Sequence, residues 1–136
     1  MNVTFLKKVL HNSNKGYIFA SSNMNKRLKP LDMKLVTKQI EKRFEKYPFY
    51  SQDSKGNDAT IVCKFFLASW TWYVLEAQKQ ANGDYYFFGI VDNGHEREYG
   101  YFSLSELESL RVWGCVKVER DMYFDPIKVA QCRELN

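Results

Sequence analysis

The sequence is short of most residues on which familiar chemistries depend. Among its 136 residues only two are histidine, His11 and His95, and only three are cysteine. Cys63, Cys115 and Cys132 are odd in number, lie 52 and 17 positions apart and include no Cys-x-x-Cys pair. That argues against a disulfide framework and a zinc knuckle, and leaves buried, reduced thiols as the expectation. There is no Gly-x-Ser-x-Gly elbow, no Gly-rich phosphate loop and no His-Glu-x-x-His pair, so the usual hydrolase and nucleotide-binding machinery is missing. No cofactor, no metal site and no enzymatic activity are expected. No stretch approaches the roughly 18 to 20 consecutive apolar residues that span a bilayer, and the N-terminus carries no long apolar core followed by a small-residue cleavage site. The expectation is a cytoplasmic protein without membrane contact.

What the chain has in abundance is rings. Three Trp, nine Tyr and ten Phe make up 16% of it, and that much ring surface must be buried or used for binding. The net charge of +4 conceals an asymmetry. Residues 1–46 hold eleven Lys/Arg against three acids, a balance of +8, whereas residues 47–136 hold nine against thirteen, a balance of −4.

Residues 1–32 show no sustained period and read as an N-terminal extension or arm, with a hairpin around Asn12 to Gly16 as the alternative. From Met33 to Tyr47 the apolar residues Met33, Val36, Ile40, Phe44 and Tyr47 recur three and four apart, which predicts an amphipathic helix with Asp32 as N-cap and Pro48 beyond its end. From Ala59 the period becomes that of strands. Ala59 to Leu67, Trp70 to Ala77, Tyr85 to Asp92 and Glu96 to Phe102 are joined by short turns, including Asn82-Gly83-Asp84 and Asn93-Gly94, and must be antiparallel neighbours in a meander. Ser103 with Glu106 forms a capping box for a short helix, Leu104 to Arg111. Cys115 to Val118 is a candidate fifth strand, and Asp125-Pro126 reads as the start of a C-terminal helix. Residues 33–136 are therefore expected to form a single α+β domain with an antiparallel sheet of four to five strands, an N-terminal amphipathic helix, a short helix after the fourth strand and a C-terminal helix.

Several spaced motifs carry a resemblance. Trp70-Thr71-Trp72-Tyr73 with Glu76, Phe87-Phe88-Gly89 with Val91, Glu98-Tyr99-Gly100-Tyr101-Phe102-Ser103-Leu104 with Glu106-Leu107, and Glu119-Arg120-Asp121 with Phe124 resemble the bacterial domain of unknown function 2958. The resemblance runs from about Met33 to Ala130. It implies a setting in plasmids, integrated elements and phages, and brings no activity with it. Between Arg111 and Glu119 the family usually shows a Gly-hydrophobic-Pro turn, where this chain reads Trp113-Gly114-Cys115-Val116-Lys117.

Three groups of residues are candidate sites. Lys34, Lys38, Lys42 and Lys46 repeat every four positions and so line one side of the predicted helix, with Arg43 nearby; this is either a solvated face partly neutralised by Glu41 and Glu45, or a face that contacts phosphates. Trp70 and Trp72 share one face of a strand and Tyr73 takes the other, so an uncovered sheet face would offer rings on which unpaired bases can stack, although no RNP-type motif accompanies them. Otherwise these rings are core. Glu76, Glu119, Arg120 and Asp121 read as a structural polar cluster, with Arg120 pinned between acids or to Glu76. The function expected is that of a non-enzymatic accessory protein of a mobile element that binds nucleic acid, single-stranded by preference, through the basic helix and exposed aromatics. The alternative is an inhibitor or adaptor that binds a host defence complex, in the manner of anti-restriction or anti-CRISPR proteins. A metal-assisted enzyme built on the carboxylates comes third.

Overall fold

A computed structural model describes residues 33–136; the predicted arm or hairpin of residues 1–32, and Asp32 as a cap, lie outside the described residues. The first element is helix α1, Lys38–Glu45. It starts five residues later than predicted, because the Thr37 hydroxyl caps it by accepting from the Ile40 amide at 3.3 Å. Met33 and Val36 fit the helical period but precede the helix. Ile40 and Phe44 are its buried residues, and they turn α1 onto the sheet.

The strands follow as β1 (Thr60–Ile61), β2 (Cys63–Leu67), β3 (Trp70–Lys79), β4 (Tyr85–Asp92) and β5 (Arg97–Ser103). Helix α2, Leu104–Ser109, carries the predicted capping box between Ser103 and Glu106. Beyond it come β6 (Arg111–Val112), β7 (Val116–Lys117), β8 (Glu119–Arg120) and β9 (Ile127–Lys128). The main sheet is antiparallel in the order β5-β4-β3-β2-β8. Its fifth strand is Glu119–Arg120, not Cys115 to Val118: Val116–Lys117 pairs instead with Arg111–Val112 in a small hairpin of its own. Trp113 and Gly114, both at positive φ, make that tight turn possible.

The predicted C-terminal helix is absent. After Asp125-Pro126 the chain forms β9, in which Ile127 pairs with Ile61, and then two single 3-10 turns, Val129–Gln131 and Arg133–Leu135. Pairing with β1 satisfies backbone groups that a helix would otherwise have bonded locally, and it brings Val129 and Cys132 down onto the sheet.

Both sheet faces thus carry a core, although on the outer face Tyr99 and Tyr101 of β5 stay exposed. On the inner face α1, α2 and β6 enclose Phe65, Trp72, Val74, Phe87 and Phe102. The ring of Phe87 lies 5.4 Å from Phe44, 5.8 Å from Phe65 and 5.5 Å from Phe102, so one side chain ties the helix to three strands. On the outer face Tyr73, Leu75 and Ile90 lie beneath Ala59, Ile61, Val129 and Cys132. Rings on both faces of β3 and β4 were legible from alternation, and they form two cores where the sequence left one face open to question.

A bulge in β3 shapes one end of the outer face. The register with β4 slips between Val74 and Glu76, which sets Glu76 opposite Phe88 on the outer side. There its buried carboxylate accepts from the Tyr50 amide at 3.1 Å and the Gln52 amide at 2.8 Å. Gln52, also buried, donates to the carbonyls of Thr60 and Leu75 and accepts from the Thr60 amide. Together these bonds hold the segment that joins α1 to β1 against the sheet.

Candidate functional site

The lysine row is built by α1. Ile40 and Phe44 face the core, so the positions between them in the helical period face solvent. Lys38, Lys42 and Lys46 are all exposed there, and among the described residues none lies within ion-pair distance of a carboxylate. Helical rise spreads the three ammonium groups over about 12 Å. Glu41 is turned away from the row and joins the helix to the sheet, with Lys79 Nζ at 3.6 Å and the Tyr85 hydroxyl donating at 3.2 Å. Burial, and then the Glu41 charge, push the Tyr85 phenol up to about 12.

Two cations of the predicted set belong elsewhere. Lys34 is exposed but precedes the helix, and its carbonyl accepts from the Arg120 guanidinium at 2.9 Å. Arg43 is half-buried and reaches the Phe124 carbonyl at 3.4 Å, so it fixes a loop and is not displayed with the lysines.

The predicted rings are not available. Trp70, Trp72 and Tyr73 are 3%, 0% and 2% exposed, which corrects their assignment as stacking surfaces. Trp70 and Trp72 stack on each other at 6.1 Å within the inner core. Tyr73 lies in the outer core, where its hydroxyl donates to Glu134 at 2.7 Å. Lys64 completes this group with a 2.6 Å ion pair to the same carboxylate, and the two partners hold the Glu134 carboxyl below its ordinary value, Lys64 more than Tyr73. Burial raises the Tyr73 phenol well above the usual tyrosine range, and the Glu134 hydrogen bond adds to it.

The predicted polar cluster also comes apart. Arg120 is buried, but it donates to the backbone carbonyls of Lys34 and Leu35 and not to an acid. Glu76 is occupied by the loop amides described above. Asp121 accepts from the Tyr123 amide at 3.0 Å and stands 3.8 Å from Lys64, and Glu119 is exposed on the edge strand. Among the described residues no group of three or more His, Cys, Asp or Glu is arranged to hold a metal ion. An open groove of about 400 Å³ runs beside β8, lined by Met33, Phe66, Met122 and Tyr123 with Lys64 and Arg120, whose charged groups are already bonded inward.

Exposed rings do exist, at positions the sequence reading did not single out. Tyr50, Tyr99 and Tyr101 are 71%, 54% and 56% exposed. They are joined through half-buried Phe49 and Phe88: Phe49 lies 6.2 Å from Tyr50 and 5.7 Å from Tyr101, and Phe88 lies 5.0 Å from Tyr101 and 5.9 Å from Tyr99. The signal was present in the alternation of β5, since Tyr99 and Tyr101 share a face and the Asn93-Gly94 turn sets them opposite Ile90 and Phe88. These rings occupy the outer sheet face at the β5 edge, whereas α1 packs on the inner face. Lysines and exposed rings are therefore two surfaces and not one.

Among the described residues no helix is long and apolar enough to cross a membrane. A family model described as a protein of unknown function (DUF2958) matches residues 35–130. No curated protein matches the chain, and no solved structure matches it.

Proposed function

The chain belongs to the DUF2958 family, a membership that assigns no activity, and from the chain's own surfaces we propose that it is a binding module which contacts the phosphates of nucleic acid through Lys38, Lys42 and Lys46. The observation that carries this reading is the row itself: three exposed ammonium groups on one side of one helix, each without a carboxylate partner among the described residues. Like charges four apart repel by a few tenths of a kcal/mol per pair, a cost that an anionic partner removes. With Trp70, Trp72 and Tyr73 buried, base stacking is no part of the contact. Binding is then electrostatic, weakly dependent on sequence, and as open to duplex as to single strands. It acts by association and not by catalysis. A cytoplasmic setting and a role as an accessory of a mobile element belong to the same proposal.

Fluorescence anisotropy with labelled single- and double-stranded oligonucleotides at about 50 mM salt tests it. Replacing the three lysines by glutamine is expected to weaken binding about tenfold or more and to flatten the dependence of log affinity on log salt by about 2 to 3, one phosphate contact per lysine. Binding that is absent, or that the triple variant leaves unchanged, refutes it. A protein-binding inhibitor or adaptor is the second reading, favoured by the exposed tyrosines on the other side of the sheet.

A further inference from the structure

Divided at Met33, the chain has two signs of charge. Residues 33–136 hold fourteen Lys/Arg against fifteen acids, a balance of −1, whereas residues 1–32 hold six against one, a balance of +5. The positive excess therefore precedes the domain that carries the lysine row. Within that domain several cations are occupied internally: Lys64 pairs with Glu134, Lys79 with Glu41 and Arg97 with Asp92. Lys34, like the row, is exposed and, among the described residues, beyond ion-pair distance of a carboxylate. Four such ammonium groups on a body of net negative charge attract a polyanion weakly, since affinity and its salt dependence both grow with the number of phosphates neutralised.

The junction between the two parts is held in a fixed place. Buried Arg120 on β8 donates to the carbonyls of Lys34 at 2.9 Å and Leu35 at 2.7 Å. A guanidinium taken out of water for two main-chain carbonyls and no acid is a costly fastening, and what it fastens is the chain just before α1. Lys34 is thereby fixed four residues from Lys38, within about 14 Å at full extension. The basic segment joins at the Lys38 end of the row, and β8 is the sheet edge opposite β5. In sequence, Lys26, Arg27 and Lys29 lead into Lys34 and so into the row. We infer that residues 1–32 supply the larger share of the phosphate contact, so that one basic track runs from this segment through Lys34 to Lys46. The inference rests on the reading of α1 as a phosphate-binding face and extends it. Covalent linkage at Lys34 makes engagement of the second part intramolecular once the first has bound, and the +5 segment overcomes the sign of the domain during approach. Ile40 and Phe44 of α1 are turned into the core, which leaves the helix no apolar edge to enter a lipid surface and favours nucleic acid over an anionic membrane.

Anisotropy of the full chain on a labelled duplex, repeated across a series of salt concentrations, tests this. Glutamine in place of Lys7, Lys8, Lys15, Lys26, Arg27 and Lys29 is expected to weaken binding at least about thirtyfold and to flatten the log–log salt slope by about 4 to 5, more than the triple variant of α1 does. Arginine in place of the five lysines among them keeps the charge and is expected to retain both affinity and slope. If the α1 variant weakens binding and the segment variant does not, the inference fails while the reading of α1 stands. If the α1 variant changes nothing, that reading fails and the shared track with it. Loss of binding in the arginine variant as well overturns the inference, because something other than charge would then be at work. So does sedimentation with phosphatidylserine vesicles that the glutamine variant abolishes while its duplex affinity is unchanged, because the segment would then serve a lipid surface.

Discussion

At Glu76 one side chain decides the shape of a whole segment. Each of its oxygens accepts one backbone amide, from Tyr50 and from Gln52, in a position almost closed to water. Truncation leaves two donors with nothing to bond and forfeits the charge-assisted part of both bonds, so Glu76→Ala is expected to cost about 2 to 4 kcal/mol in urea unfolding, with Glu76→Gln milder because one amide keeps an acceptor. Equal costs for the two variants would mean that packing and not hydrogen bonding holds the loop. The sequence offered Arg120 as a partner for Glu76, whereas the partners are main-chain amides 24 and 26 positions away, and main-chain groups carry no side-chain signature. Trp70, Trp72 and Tyr73 teach the complementary lesson. Their alternation between faces was legible, but what covers each face, α1 on one side and the C-terminal segment on the other, comes from distant parts of the chain.

The strand with strong turn chemistry at both ends has its expected limits, while its neighbours β3 and β5 end two residues and one residue beyond theirs. β4 runs from Tyr85 to Asp92 as predicted, between an Asn-Gly-Asp turn and an Asn-Gly turn. Helix α1 was overextended because Met33 and Val36 are spaced as a helix would space them, although a capping hydroxyl at Thr37 starts the helix later. The C-terminal segment departs from the expected helix for a further reason: Pro126 suits the first turn of a helix, but pairing of Ile127 with Ile61 prevails. That segment is pinned to the sheet by Glu134, which holds Lys64 and the Tyr73 hydroxyl. With its carboxyl lowered from the ordinary value of 4.5, Glu134 contributes attachment that is complete above that value and is lost as pH falls through the lowered one. Hydrogen exchange of the Val129 and Cys132 amides is therefore expected to accelerate relative to the sheet centre as the pH falls below the ordinary carboxyl value and through the lowered one, and Glu134→Gln to remove most of that pH dependence. Exchange that is independent of pH after correction for its intrinsic rate would show that apolar contact alone retains the segment.

For the molecule as a whole, a sheet with a core on each side sets the two kinds of binding residue apart. Lysines ride on the helix that covers the inner face, and the tyrosines stand at the β5 edge of the outer face. The composition suggested one docking surface because charge and rings are both conspicuous in a linear reading, and only the layering of the sheet separates them. The central claim is that nucleic acid meets the α1 side alone. The most direct test is a nitrogen-15 amide shift map of the full chain titrated with a short single-stranded oligonucleotide. The account predicts shifts concentrated at Lys38 to Lys46 and none at Arg97 to Ser103, whereas shifts centred on Tyr50, Tyr99 and Tyr101 with α1 unmoved would contradict it.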